Sequence, residues 1–569
     1  MKYEDQLRLW MDKAVDDKDL LDELRAIGDN EEEVVDRFYK DLEFGTGGLR
    51  GVIGAGTNRM NIYTVAKATK GLCDYINETF KNPSVAIAYD SRIKSDLFAK
   101  VAATVFAANG IHVHIYKELM PTPMLSFAVR NLKCCAGVVV TASHNPSKYN
   151  GYKVYGPDGC QLTLEASQIV LSHIEQTDAF SVVKADFDEA VKAGTIQFIE
   201  DDVINAYLDA VQSRSIHPDI FKSVDLKVVY TPLNGAGNKP VRAILRRCGV
   251  ENVTVVKSQE MPDGNFPTAP YPNPEIRQAF EESLKVAEQV HPDLLLATDP
   301  DSDRVGIAVL QNGEYQLMSG NEVGVMLLNY ILGERTKNKT LPQNPVAVKT
   351  IVTSDLAAKV AADYHCQMIN VLTGFKFIGE QIALLEEKGE EDRYIFGFEE
   401  SYGYLSGSYV RDKDAVVASM LICEMAAFYK GQGSTLVDVM HQLYEKYGYY
   451  LHKQLSFTCE GVTGMQKMAD IMTNLRQNPP KSIGGLQVVA INDYETSLHT
   501  DLQTGKTQPI TLPKSNVIAF MLENDASAIV RPSGTEPKIK VYVTAVDQSH
   551  NAAAARSSQI ETDMSALMQ

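Results

Sequence analysis

Four short polar stretches carry the residues able to do chemistry. The first is Thr141-Ala142-Ser143-His144-Asn145-Pro146, placed directly after the apolar run Gly137 to Val140. Small and β-branched residues ending in a polar turn predict a buried strand with Ser143 on the loop beyond its carboxyl end, where open α/β sheets bind ligands. His144, Asn145 and Lys153 add polar groups there. Ser, Asn and Pro are also ordinary turn formers, so Ser143 alone does not make a nucleophile. The second stretch, Asp299-Pro300-Asp301-Ser302-Asp303-Arg304, follows the apolar run Leu294 to Ala297 in the same way. Three carboxylates at alternating positions of a tight loop can converge on one hard cation, since Mg²⁺ favours oxygen ligands. An EF-hand calcium loop does not fit, because Arg304 stands where its glycine belongs and Leu310 where its bidentate glutamate belongs. Acids that hold a divalent cation leave positions open for an anion, of which a phosphate ester is the obvious case.

The third stretch joins Thr373-Gly374-Phe375-Lys376 to Phe398-Glu399-Glu400-Ser401-Tyr402-Gly403. Its acids and hydroxyls suit vicinal sugar hydroxyls, which are costly to desolvate unpaired, although a surface loop has the same composition. Arg411-Asp412-Lys413-Asp414 reads as an exposed charge run. The fourth stretch, Arg531-Pro532-Ser533-Gly534-Thr535-Glu536-Pro537-Lys538, offers a guanidinium, two hydroxyls and a glycine amide, which is a phosphate clamp or a plain hairpin loop. Near the start, Phe44-Gly45-Thr46-Gly47-Gly48-Leu49-Arg50-Gly51 reads as a glycine-rich loop. It misses the dinucleotide pattern, since Arg50 replaces the third glycine and no strand is evident before it. Bare amides beside Arg50 suit a phosphate, and a flexible turn explains them equally well.

The elements that must position these loops repeat. Val85 to Tyr89, Asp90 to Asp96, Leu97 to Ala108 and Ile111 to Tyr116 read as strand, polar loop, helix and strand. The order returns from Leu226 to Val256 and again from Val346 to Leu372, which predicts three similar α/β domains with mixed sheets. Leu451 onward has another order, with strands near 517–522, 528–530 and 539–546, and reads as a smaller α+β domain with an antiparallel sheet. Residues 1–40 space their apolar side chains as two or three amphipathic helices packing on the first domain. The expected division is 1–40, 41–205 with the serine loop, 206–315 with the acid loop, 316–450 with the third stretch, and 451–569 with the Arg531 loop.

Composition agrees with several cores. A chain of 569 residues with 44% hydrophobic residues is too long for one. A net charge of −18 argues against nucleic acid and anionic membrane as partners, both of which need a positive surface. Eight cysteines without a Cys-x-x-Cys pair, no signal-like start and no run of 18 apolar residues predict reduced thiols in the cytoplasm.

Taken together, Thr141 to Pro146, Asp299 to Arg304, Glu399 to Ser401 and Arg531 to Thr535 closely resemble, in order, the four characteristic loops of the α-D-phosphohexomutases, the phosphoglucomutases and phosphomannomutases. The resemblance spans about 40 to 550, and Phe44 to Arg50 with Arg411 to Asp414 look most like bacterial phosphoglucomutases related to the branch that accepts phosphopentoses. It implies a heart-shaped molecule around a central cleft, with a mobile fourth domain. It implies phosphoglucomutase activity, α-D-glucose 1-phosphate to glucose 6-phosphate, through a phosphoserine and glucose 1,6-bisphosphate as intermediate and activator. Phosphomannomutase or phosphopentomutase activity, a metal-dependent sugar phosphatase and a noncatalytic sugar-phosphate sensor are the alternatives. The same resemblance makes Ser143, Asp299, Asp301 and Asp303 the Mg²⁺ ligands, and gives Ser143, His144, Lys153, Arg50 and Arg304 the phosphoryl transfer. It leaves Glu399 and Ser401 for the sugar, and Arg531, Ser533, Gly534 and Thr535, with Thr373, Gly374 and Lys413, for the remaining substrate contacts. Partners are small sugar phosphates, and the chain is expected as a monomer or weak homodimer. Two departures stand out: Gly47 replaces a serine common in relatives, and no histidine follows Ser401, where Tyr402 and Tyr404 stand.

Overall fold

Alternating small and β-branched residues make the first sheet. In the computed structural model, which describes residues 3–28, 30–45, 47–459, 464–533 and 538–569, the strand Ser84–Tyr89 lies parallel to both His112–Tyr116 and Ala136–Val140. The helix Ser95–Ala108 makes the crossover, its Phe98, Val105 and Phe106 fully buried. Six strands complete this sheet in the order Gly48–Val52, Tyr149–Tyr155, Ala136–Val140, Ser84–Tyr89, His112–Tyr116, Ile196–Ile199. The glycine-rich stretch is thus corrected: Arg50 sits on an edge strand, facing Gly151 in antiparallel register, and not in a flexible loop. Close approach explains the glycines, since a Cβ at Gly48 would lie 2.3 Å from the Tyr152 carbonyl and one at Gly151 would lie 2.4 Å from the Thr141 carbonyl.

Three helices precede this sheet, Tyr3–Lys13, Lys18–Ile27 and Glu31–Phe38. Their apolar faces bury Trp10, Leu20, Leu24, Val34 and Phe38 in the same core as the sheet, as their spacing predicts. The second sheet has five strands, in the order Glu314–Met318, Val305–Gln311, Leu294–Thr298, Val228–Thr231, Val253–Val255. Gln311-Asn312-Gly313 closes an antiparallel hairpin within it, with Gly313 in the left-handed region and Glu314–Met318 as the second strand.

Contacts divide the chain into two units, one of 1–319 with 378–396 and 401–433, the other of 320–377 with 397–400 and 434–569. The first unit holds both sheets above and the almost wholly buried helix Ala415–Lys430, capped by Asp414. The second holds the third repeat, in which Val346–Thr350 pairs parallel with Gln367–Val371 across the helix Leu356–Asp363. It also holds the expected antiparallel sheet, in the order Tyr449–Thr458, Lys538–Asp547, Ser527–Pro532, Ile518–Leu522, Leu486–Asp493, Leu498–Asp501, Thr507–Pro509. The helices Gly464–Gln477 and His550–Leu567 bury Met468, Met472, Ile560 and Met564 in the core of that sheet. No described helix is long and apolar enough to cross a membrane.

Candidate active site

The strand Ala136–Val140 delivers Ser143 to a buried loop beyond its carboxyl end. Ser143 has φ 51°, a left-handed backbone that a non-glycine residue adopts only when its surroundings enforce it. Those surroundings are a set of hydrogen bonds. Thr141 Oγ1 accepts from the Ser143 amide at 2.8 Å and donates to Asp90 at 2.6 Å. Asp90 in turn accepts from the Arg92 amide and from Ser95 Oγ.

The strand Leu294–Thr298 delivers the acid loop in the same manner, and Ser302 at its tip has φ 51°. Asp299, Asp301 and Asp303 are all buried, with one carboxylate oxygen of each within 4.8 Å of the others. Asp299 Oδ1 accepts from the amides of Asp303 and Arg304, which shapes the loop. Its Oδ2 accepts from Ser143 Oγ at 2.8 Å, so serine and acid cluster meet as the sequence predicts. Asp301 accepts from Thr122 Oγ1 at 2.8 Å and from Lys153 Nζ at 3.0 Å. Lys413 lies 3.1 Å from Asp303 and 3.2 Å from Asp412.

Burial and the mutual repulsion of three acids push Asp299 well above the ordinary carboxylate range, and burial with Asp301 raises Asp303. Burial would raise Asp301 too, but Lys153 and the bonds it accepts hold it low. Asp301 Oδ1 and Asp303 Oδ1 are buried without a hydrogen-bond partner. Three converging carboxylates with two such oxygens fit a hard divalent cation, and Mg²⁺ suits that donor set.

His144 Nδ1 stands 3.2 Å from Ser143 Oγ. Burial first, then the nearby Arg304 and Arg50, push its pKa well below the usual imidazole value, so the ring is neutral at physiological pH. Arg304 is held by Glu275 at 2.5 Å, a partner the sequence did not single out. Gly403 forms a bridge to Arg304, and the Tyr402 carbonyl, on a residue with φ 65°, accepts from the Val305 amide, which sets Ser401 beside the acid loop.

The charge run Arg411 to Asp414 is corrected outright. All four residues are buried: Arg411 pairs with Glu386 at 2.6 Å, Asp412 accepts from Tyr155 at 2.7 Å, and Asp414 accepts from Tyr207 at 2.9 Å and Tyr409 at 2.6 Å. Composition made it look solvated, whereas each buried charge has its own partner, of which Glu386 alone is exposed. Lys413 is thereby added to the acid cluster.

In the second unit, Glu399 accepts from the Gly374 amide at 3.1 Å, Gly374 having φ 122°. Thr373 Oγ1 is buried without a hydrogen-bond partner. Glu400 accepts from Thr353 Oγ1 at 3.1 Å. Tyr542 is pushed up to about 12 by burial and by Glu400, with Arg531 opposing and Glu399 adding, which places these charges around one phenol. Arg531 closes the strand Ser527–Pro532, and the Ser533 amide bonds to the Lys538 carbonyl. Gly534 and Thr535 lie outside the described residues. Arg92, Thr122, Glu275 and Asp412 were missed by sequence reasoning; the one signal for Arg92 was its polar loop after a strand.

Family comparisons agree along the chain. The phosphoglucomutase/phosphomannomutase alpha/beta/alpha domains I, II and III match residues 41–180, 205–313 and 319–447, and the C-terminal domain of that family matches 489–557. A phosphoglucomutase of Staphylococcus aureus (strain bovine RF122 / ET3-1) is 39% identical over 543 residues, covering 94% of this chain and 95% of the relative. That of strain MRSA252 is 40% identical over 512 residues, covering 89% and 90%. Among solved structures, the open form of Paramecium parafusin, a phosphoglucomutase, has a TM-score of 0.68 at 18% identity, covering 93% of this chain and 95% of that one, a likeness of fold. The matched domains define a phosphotransferase of the α/β class, with the serine and the acid cluster at its buried site. The chain belongs to the phosphoglucomutase/phosphomannomutase family.

Proposed function

We propose that this chain interconverts α-D-glucose 1-phosphate and glucose 6-phosphate by way of a phosphorylated Ser143. The observation that carries the reading is the Ser143 hydroxyl held 2.8 Å from Asp299 in a buried three-acid cluster. Phosphorylated Ser143 gives its phosphoryl to the free hydroxyl of the sugar phosphate: the serine P–O bond breaks, a sugar P–O bond forms, and the hydroxyl proton leaves to a base. Glucose 1,6-bisphosphate results, reorients and returns its other phosphoryl to Ser143. Neutral His144, adjacent to Oγ, takes that proton and returns one to the Ser143 oxygen as the serine P–O bond breaks, with Lys153 completing the relay. Asp299, Asp301 and Asp303, with the serine phosphate, would hold Mg²⁺, which would offset charge on the transferring group. Arg304 and Arg50 add positive charge beside it, as positioning and electrostatics supply most of the rate in phosphoryl transfer.

Glu399 and Ser401 bind sugar hydroxyls, and Arg531, Ser533, Gly534 and Thr535 grip the phosphate that is not reacting, with Thr373 joining them. Two Staphylococcus aureus relatives at 39% and 40% identity, each covering about nine-tenths of this chain, are phosphoglucomutases, which favours glucose phosphates over mannose and pentose phosphates. Eight free thiols support a reducing, cytoplasmic setting. A coupled assay with glucose 1-phosphate, mannose 1-phosphate and ribose 1-phosphate, each with catalytic glucose 1,6-bisphosphate, tests the reading. Highest kcat/KM on glucose 1-phosphate supports it. Release of inorganic phosphate without isomerisation would overturn it in favour of a phosphatase.

A further inference from the structure

Arg92 has a wholly buried side chain that touches neither the acid cluster nor any group assigned to substrate above. Its guanidinium spends all four terminal N–H bonds on the serine loop. Nη1 donates to the carbonyls of Pro146 and Tyr149, each at 3.0 Å, and Nη2 donates to the carbonyls of Ser143 and Asn145. Four carbonyls from a seven-residue turn therefore converge on one planar ion, an arrangement that three rotatable lysine donors cannot reproduce. Asp90 stands 3.4 Å from Arg92 Nε and fixes the opposite end of the loop through Thr141. The Phe266 ring, from the second sheet's domain, lies 5.1 Å from the guanidinium carbon and closes that face. A Cβ on nearby Gly264 would lie 2.4 Å from the Ile93 amide, so that segment packs directly on the loop carrying Arg92.

We infer that Arg92 is a positioning residue for phosphoryl transfer. It holds Ser143 in its left-handed backbone and thereby aims Oγ at the acid cluster. This rests on the serine reading above. Ser143 Oγ and the Asp299 carboxylate come from separate loops, so the 2.8 Å spacing depends on how rigidly each loop is held. A misplacement of about 1 Å costs on the order of a hundredfold in rate.

Arg92→Lys keeps the charge and removes the four-point geometry. In the glucose 1-phosphate assay with Mg²⁺ and the bisphosphate, kcat is expected to fall about a hundredfold while KM stays within about threefold. Hydrogen exchange of the amides from 143 to 149, read without substrate, is expected to rise in the variant while the sheet strands stay protected. Phe266→Leu leaves the four carbonyl bonds and is expected within about threefold of wild type in kcat. Should Arg92→Lys not fold, Arg92→Ala is assayed with methylguanidinium at a concentration that leaves its melting temperature unchanged, and saturable recovery of kcat is expected. Wild-type kcat from Arg92→Lys, loss shared equally by kcat and protection of the whole chain, or no methylguanidinium recovery would overturn the inference. Wild-type inactivity on sugar phosphates would instead defeat the functional reading, and the exchange measurement would still judge the clamp.

Discussion

Replacing Lys413 with methionine isolates what one ammonium contributes to the acid cluster. The substitution keeps the aliphatic stem, which lies across Gly403 where a Cβ would sit 2.1 Å from Lys413 Cδ. It deletes a charge 3.1 Å from Asp303 and 3.2 Å from Asp412. The lysine side chain is 10% exposed and the two acids 1% and 2%, so water screens little of the interaction. At an effective dielectric of about 20, each contact is worth about 5 kcal/mol before desolvation, and truncating one partner of a buried pair costs about 3–5 kcal/mol net. Urea denaturation followed by circular dichroism, run in EDTA and in saturating Mg²⁺, measures this as a shift in midpoint. In EDTA the variant is expected to lose about 3–5 kcal/mol relative to wild type. In Mg²⁺ the deficit narrows, because a cation restores positive charge at Asp303, though none at Asp412. A deficit below about 1 kcal/mol, the size of an exposed pair, would refute the buried-cluster reasoning. A deficit identical with and without Mg²⁺ would refute the cation site.

Two further outcomes are expected. Arg531→Ala removes a charge-assisted bond worth about 1.5–3 kcal/mol, so KM for glucose 1-phosphate rises on the order of ten- to a hundredfold while the melting temperature moves little; an unchanged KM counts against the clamp. His452 bonds to Ser354 at 2.8 Å and Thr544 at 3.1 Å, and burial lowers its pKa to about 4. The unfolded chain then binds the proton first, near pH 6.5, so the contribution is complete above that pH and is lost as pH falls toward about 4. His452→Gln removes that part of the slope, about 3 kcal/mol across the window, as read from the wild-type minus variant difference in denaturation midpoint; parallel pH profiles would contradict it.

The loops that bear the chemistry were legible because each follows an apolar run short enough to be a buried strand, as with Gly137 to Val140 and Leu294 to Ala297. The acid cluster was legible because alternating aspartates in one turn must face one another. Arg411 to Asp414 was not, since a charge run has the same composition whether water solvates it or Glu386, Tyr155, Asp303 and Tyr207 pair with it. Arg50 reads as a loop residue because a glycine needed for close strand approach looks like one needed for a turn. Thr122 and Arg92 act from other elements on loops far along the chain, and no local pattern announces a tertiary hydrogen bond. The helix His550–Leu567 escaped notice because its run of alanines and serines has little periodic contrast.

Mapping phosphate after brief exposure of the Mg²⁺-loaded chain to glucose 1,6-bisphosphate tests the central claim most directly, with Ser143→Ala run beside it. One phosphoryl group on the peptide carrying Ser143, transferable to glucose 1-phosphate and absent from the alanine variant along with turnover, is the predicted result. Mutase turnover with no phosphate on Ser143, or near-normal turnover by the variant, would contradict it.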